Sequence, residues 1–571
     1  MSVQRFRRFG LIAAALLACS SFAVSQGSDK EMCPRAAAGS VVTSPAELSS
    51  EHGTLTATLS FRSDRGPDGQ RRYCYMDGDG HQAPTLRVHP GDQVTLRLKN
   101  DLAAATSEMA AHAAVGPGDC GHVQMSADST NLHFHGLSIP PACHQDESLS
   151  TLIQPAGPAF EYQFRIPKSQ SPGLYWYHPH VHGSSEAQVM GGASGALIVE
   201  GTEQTDQMLP ERVLVIRDQK PAATGEEAGQ PAKDLSVNFV PVPYPDYPMA
   251  VIRSKPSRRE LWRVLNGCAD TYLDLGVLFN GKWRDLGLVG VDGAPIGRGQ
   301  GHRDGIAWRR DIPIPPGGRA EFIFETPGEH VNAELLTLGV LTSPPSDEDD
   351  PAAVTSRGQA AALDDDDANP PRQLAKIISS AEATEPGNLA AVPGLSRLSA
   401  DLGLARARPI RKRLFYFSEQ VLDPKHPASS TVYYITEKGS TPKAFDLAAG
   451  PNITVQSGDV EDWVIENRSQ ESHAFHIHQL HFLTLERNGS VTRETYLRDT
   501  IDVPYWDGTS RRFPSVKLRM DFRDPDIVGK IPYHCHVLQH ADGGMMGVVE
   551  VKPRVPGFGR ASRPTTQAEK R

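Results

Sequence analysis

Thr85 to Asn100 reads TLRVHPGDQVTLRLKN, apolar and polar residues alternating on both sides of Pro90-Gly91-Asp92. Side chains two apart in an extended chain share a face, so the alternation predicts two half-buried strands joined by a turn. The cadence returns in NITVQSGDVEDWVIEN, Asn452 to Asn467, and RRELWRVLN, Arg258 to Asn266, resembles its second half alone. Another strand recurs late in each unit: FEYQFRIP from Phe160, RAEFIFETP from Arg319 and SVKLRMDF from Ser515. Three such units, with short strands between Gly and Pro turns and weak helical periodicity, predict an all-β chain of antiparallel sandwiches laid end to end. A length of 571 residues exceeds what one core serves, and the units divide the chain at 40–205, 206–404 and 405–553, with a polar tail over 554–571.

Residues 1–25 carry Arg5, Arg7 and Arg8, then the apolar run Leu11 to Ala18, then small residues at Ala23 to Ser25. This is the pattern of a signal peptide, which predicts export to the periplasm or beyond. The run is too short to span a bilayer, and Arg7-Arg8 is only a degenerate twin-arginine signal. Attachment to a membrane would require a lipid on Cys19, in the imperfect lipobox Leu16-Leu17-Ala18-Cys19; composition favours the plain reading, a cysteine inside a removed signal. An oxidising compartment permits disulfides among Cys33, Cys74, Cys120, Cys143 and Cys268. Cys120 and Cys143 flank one loop and are the best pair, while Cys268 has no evident partner. A net charge of -10 supplies no basic stripe for a phosphate backbone, which argues against nucleic-acid binding. Acidic runs at Asp347 to Asp350 and Asp364 to Asp367 mark residues 343–371 as a solvated, disordered loop, with cation collection as the alternative.

The chemistry lies in histidines. Asn131-Leu-His133-Phe-His135-Gly136 is followed by Trp176-Tyr-His178-Pro-His180-Val-His182-Gly183, and much later by His473-Ala-Phe-His476-Ile-His478 and His534-Cys535-His536-Val-Leu-Gln-His540, ending in Met545. On a strand, each His-x-His pair aims two imidazoles at one point, and four pairs supply eight ligands. Scattered pairs are most often surface or satisfied core histidines; the number of overlapping occurrences here, beside Gly and Trp, argues against that reading. Cys535, between two histidines, points opposite to both and is free to serve another metal. A thiolate with His473 and His540 and the soft thioether of Met545 is the ligand set of a blue copper electron-transfer site.

These four motifs resemble those of the three-domain multicopper oxidases, the family of laccases, bilirubin oxidases and cuprous oxidases, over roughly residues 50 to 553. The resemblance implies three consecutive cupredoxin-like Greek-key β-sandwich domains and four coppers. It implies His473, Cys535, His540 and Met545 at type-1 copper, and His133 with His476 at type-2 copper. His135, His178 and His536 would hold one type-3 copper, and His180, His478 and His534 the other. The middle unit, which continues Gly267-Cys268-Ala269-Asp270-Thr271 where the others turn to histidines, looks like a spacer without copper. The implied activity is one-electron oxidation of a reducing substrate coupled to four-electron reduction of dioxygen to water.

The sequence departs from the family pattern at Ala474, where Pro is usual, at Gln479, where Gly is usual, and at Gln539 and Ala541, often acidic in relatives. Proton delivery must then run elsewhere, and Asp146 matches the family's acidic residue on the type-2 side. His182 keeps a second register open, since His180-Val-His182 has the same spacing, although Trp176-Tyr177 favours His178 and His180. Met109, His112, His122 and Met125 put soft ligands into one loop, which reads either as transient copper capture or as a plain surface loop. A copper nitrite reductase has fewer copper-binding histidines than this, and a non-enzymatic copper-binding or scaffold protein of the same fold would show degenerate ligands. The 11 methionines form no rich insertion, which tilts the donor towards phenols or aromatic amines rather than metal ions.

Overall fold

The computed structural model describes residues 31–103, 120, 125–201, 208–220, 231–297, 305–344, 369–392, 403–426, 430–492 and 494–554. The signal segment, most of the soft-ligand loop, both acidic runs and the tail from 555 lie outside the described residues.

Described strands form six sheets that pair in chain order. Between 47 and 199 one sheet runs Glu47–Ser49, Thr85–Val88, Gly195–Val199, Gly173–His178, His133–His135, and its partner runs Arg71–Met76, Thr54–Arg65, Gln93–Asn100, Phe160–Arg165. Leu59, Leu96 and Phe164 of one sheet meet Leu86, Phe134 and Leu197 of the other in a single core. The same construction repeats over 208–391 and over 411–552, each with its own core. Burial of the alternating apolar residues is the main force holding each sandwich.

The turn at Pro90-Gly91-Asp92 does not close a hairpin. Thr85–Val88 pairs with Glu47–Ser49 and Gly195–Val199, whereas Gln93–Asn100 pairs with Thr54–Arg65 and Phe160–Arg165, so the turn carries the chain from one sheet to the facing one. Ile453–Gln456 and Asp459–Asn467 divide in the same way. The middle sandwich has the full motif too, Ala250–Ser254 then Arg259–Asn266. Its turn, Lys255-Pro256-Ser257-Arg258, lacks the Gly-Asp signature, which is why the sequence shows only the second half. The recurrent late strands pair equivalently, Leu96 opposite Tyr162, Trp262 opposite Phe322 and Trp463 opposite Leu518.

Thr85–Val88 is buried at every position rather than on one face. The reason is that the middle sandwich covers the outer face of its sheet: Leu174, Trp176, Ala196 and Ile198 pack against Val213, Val215 and Leu265. Arg87 ion-pairs across this boundary with Glu211, which also takes Arg263 of the middle sandwich. Buried charges need such partners, since an isolated one would cost several kcal/mol (on the order of 3–5).

Cys120 and Cys143 are bridged as expected, and the second disulfide joins Cys33 to Cys74, tying the N-terminal arm to the strand Arg71–Met76. Cys268 is buried and free. Among the described residues no helix is long and apolar enough to cross a membrane.

Candidate metal centre

Strand pairing assembles the centre. His133–His135 lies antiparallel to Gly173–His178 with His133 opposite His178, and His473–Ile477 lies antiparallel to Gly529–Cys535 with His476 opposite His534 and Phe475 opposite Cys535. Alternation then sorts the side chains. His476 lies three positions from His473 and so points to the opposite face, and Cys535 points away from His534 and His536.

Among the described residues the histidines meet in buried groups that include His133 with His135 and His476; His135 with His178 and His536; His180 with His478 and His534; and His473 with Cys535 and His540. The first three groups form one cluster drawn from the first and third sandwiches. The ring of His133 stacks on His478 at 3.7 Å and that of His135 on His476 at 3.9 Å. Nε2 of His534 lies 3.2 Å from Nε2 of His180 and 3.3 Å from Nε2 of His478.

The donor set fits metal ions. Nε2 of His133, His178 and His476 and Nδ1 of His135 are buried without a hydrogen-bond partner, and His536 has both nitrogens in that state. A buried polar atom without a partner costs roughly 1–3 kcal/mol, so this concentration of them needs a ligand. Outside His536, the opposite ring nitrogens are held. His133 Nδ1 lies 3.0 Å from both carboxylate oxygens of Asp146, His135 Nε2 lies 3.2 Å from Asp499 Oδ1, and His178 Nδ1 lies 2.9 Å from the Pro179 carbonyl. His476 Nδ1 lies 2.9 Å from the Asp499 carbonyl and His534 Nδ1 lies 2.8 Å from the Cys535 carbonyl. Anchoring the outer nitrogen fixes the tautomer and leaves the inner lone pair for a metal. Burial, reinforced by neighbouring imidazoles, holds His133, His135, His476, His478 and His536 well below the usual histidine range. Burial lowers His178 to about 3 and His534 to about 4. Neutral imidazole is the ligating form.

The second site is separate. Cys535 Sγ lies 3.6 Å from His473 Nδ1 and 3.7 Å from His540 Nδ1, which are 3.0 Å apart. Met545 is buried in the same core as Cys535; its carbonyl accepts from the Cys535 N–H and its N–H donates to the His540 carbonyl. His473 Nε2 meets Ser469 Oγ at 2.6 Å, and His540 Nε2 lies 3.0 Å from Glu471 Oε2. A soft sulfur with two Nδ1 donors suits copper.

Some residues here went unread in the sequence. Asp499 and Glu471 touch ligands but belong to no His-x-His pattern, and only their positions after folding reveal them. Gln479 was visible as a departure. Its φ is 59°, the left-handed region that explains why glycine is usual, and its amide donates to Asp146 Oδ2 at 2.5 Å. That bond offsets a backbone cost of roughly 1–2 kcal/mol. His182 meets Phe445 edge-on at 5.0 Å, while His178 and His180 both enter the clusters given above. Met125 is 46% exposed. No acid replaces Ala541; its neighbour Asp542 accepts the Gly183 and Glu186 N–H groups instead.

Asp146 is fully buried, and burial pushes its carboxyl well above the usual range against the pull of the Phe134 N–H and the Gln479 amide. Asp146→Asn replaces an acceptor that suits either the neutral or charged ring with an amide that can present the wrong group to His133 Nδ1. We expect roughly a 10- to 100-fold loss in the hold on the metal shared by His133, read by competition with a chelator.

Two stretches, residues 123–204 and 421–555, match family models described as multicopper oxidase. Copper resistance protein A of Pseudomonas syringae pv. tomato is 34% identical over 24% of this chain, which spans only 17% of that relative. The multicopper oxidase mco of Staphylococcus aureus is 22% identical over 82% of the chain and 81% of its own length. Among solved structures, a multicopper oxidase from Campylobacter jejuni superposes with a TM-score of 0.61 and 23% identity, covering 90% of this chain and 96% of that one. With both the ligand motifs and the sandwich fold in place, the chain is similar to the multicopper oxidases through its first and third sandwiches.

Proposed function

We propose that this chain couples one-electron oxidation of a reductant at the Cys535 site to reduction of dioxygen to water at the histidine cluster. The observation that carries the reading is the set of buried ring nitrogens without partners, converging from two sandwiches while the outer nitrogens of His133, His135, His178 and His476 are anchored. In this reading His473, Cys535, His540 and Met545 hold the type-1 copper and His133 with His476 the type-2 copper. His135, His178 and His536 hold one type-3 copper, and His180, His478 and His534 the other. Copper, when bound, supplies one-electron transfer at the first site and oxygen binding and reduction at the second. The protein supplies the rest. Cys535 is covalently continuous with His534 and His536, so bonded atoms link the two sites. Asp146, held beside His133 and able to keep a proton, is the proton donor of this reading. Division into domains over 40–205, 206–404 and 405–553 is supported by a separate core in each pair of sheets, and export by the two disulfides.

The donor class turns on Glu471. Its side chain is 28% exposed and its carboxylate lies against His540, whose own ring is almost covered. A carboxylate there attracts a reducing metal cation, which favours cuprous or ferrous ion over the phenols expected from methionine content; the Campylobacter relative is itself described as a metallo-oxidase. Phenols and aromatic amines are the second reading, because the same carboxylate can accept the proton they release on oxidation. Oxygen uptake by the copper-loaded protein, with a cuprous salt corrected for spontaneous oxidation and in parallel with a methoxyphenol, separates them. Fast uptake with the metal, lost preferentially in Glu471→Gln, is the expected result; the reverse order makes the phenol reading correct, and no uptake with either defeats the oxidase assignment.

A further inference from the structure

The middle sandwich contributes no histidine to the copper groups described above, yet one of its turns reaches two ligands of one group. Ile314 ends a strand, Pro315 to Gly318 turn, and Arg319 begins the next strand, Arg319–Glu325. Gly317 has a φ of 78°, and a Cβ placed on it would lie 2.6 Å from both Cε1 and Nε2 of His536. Two residues on, the Arg319 guanidinium, wholly buried, grips Asp499 of the third sandwich with Nη1 to Oδ1 at 2.7 Å and Nη2 to Oδ2 at 2.6 Å. Asp499 Oδ1 in turn lies 3.2 Å from His135 Nε2 in the first sandwich.

Further contacts hold this arm in place. The Arg319 N–H donates to Asp292 at 2.9 Å, and its Nε points to the Leu174 carbonyl at 3.3 Å. Gly136, directly after His135, leaves the space the arm fills: a Cβ there would lie 2.5 Å from Arg319 Nη2 and 2.7 Å from Asp499 Oδ2. Three sandwiches therefore meet at one arginine.

We infer that Arg319 and Gly317 are positioning residues for the His135, His178 and His536 site, so that the sandwich without copper ligands shapes half of the coupled copper pair. The forked guanidinium fixes the orientation of the Asp499 carboxylate, which then accepts from His135 Nε2 and leaves Nδ1 as the only nitrogen of that ring able to bind metal. Gly317 gives His536 the room to bring its ring to the same point. A lysine at 319 would keep the charge but offers a point contact in place of the fork.

This inference rests on the copper assignment proposed above, and the test keeps the two apart. Arg319→Gln, Arg319→Lys and Gly317→Ala are compared with the parent for copper content, the near-ultraviolet band of the coupled pair, and the visible blue band. The blue site shares no residue with the turn and so reports folding. Gly318→Ala strains the same turn against Pro315 and Ile314 without reaching a histidine, and serves as the control. Arg319→Gln and Gly317→Ala should keep the blue band, lose the near-ultraviolet band and hold the copper roughly 10- to 100-fold more weakly, with Arg319→Lys between them and the parent and Gly318→Ala like the parent. The inference is overturned if both variants retain the parent's band and copper content, or if both bands fall together in all four, which would make the turn a plain folding element. A parent without the near-ultraviolet band would instead sink the copper assignment itself.

Discussion

Cys535→Ser, loaded with copper, should lose its blue colour and its turnover together while keeping the coupled near-ultraviolet band. The colour of a blue copper site arises from a thiolate bound to copper, and Cys535 is the only sulfur within reach of both His473 Nδ1 and His540 Nδ1 among the described cysteines, since Cys33, Cys74, Cys120 and Cys143 are bridged and Cys268 lies in the middle sandwich's core. A serine hydroxyl is harder, shorter and not ionised at neutral pH, so it supplies neither the ligand nor the link. The histidine cluster should survive, because His534 and His536 point away from residue 535, His534 keeps its place opposite His476, and the His536 N–H keeps its bond to the Ala474 carbonyl. Visible spectra and oxygen uptake on one sample decide it. Turnover at the parent rate in a colourless protein would mean that electrons enter the cluster by another route.

His476→Ala is the converse case. His476 Nε2 faces the cluster while Nδ1 is held by the Asp499 carbonyl, so its removal takes away a ligand and leaves that carbonyl with the Ile477 N–H alone. The blue band should remain at full strength, since His473, Cys535, His540 and Met545 are untouched, and oxygen consumption should fall to background. Stopped-flow reduction of the blue band by a donor, followed by mixing with oxygen, would show it bleach and stay bleached. Prompt reoxidation at the parent rate would show that His476 is dispensable and that the type-2 assignment is wrong.

Much of this was legible before any coordinates. Period-two alternation carried the strands, the repeated Gly-Asp turn carried the first and third sandwiches, and the recurrent late strand carried the middle one. The spacing of His-x-His showed that both imidazoles of a pair face one way, because strand geometry leaves little freedom over three residues, while the grouping of the pairs and the preference for His178 and His180 over His182 rested on the resemblance. Cys535 was separable from His534 and His536 by parity alone. The unread part depended on long-range packing. Arg319 looks like the polar start of an amphipathic strand, and Asp499 like an ordinary loop acid, until the sandwiches meet around them. Thr85–Val88 looked half-buried because sequence alternation reports only one sheet's two faces and says nothing of a neighbour covering the outer one. Glu471 likewise gained its meaning from a residue 69 positions away, His540.

The two sites differ in how much of the polypeptide each requires. The cysteine site is built within residues 473–545, a single late stretch. The cluster joins partners as far apart as His135 and His536, 401 positions. Contacts of that separation form late, because the chain between them must first be ordered. A nascent or partly refolded molecule can therefore acquire colour before it acquires the power to consume oxygen. Blue intensity then reports on the late stretch alone, whereas oxygen uptake also requires the first sandwich to have closed onto the third.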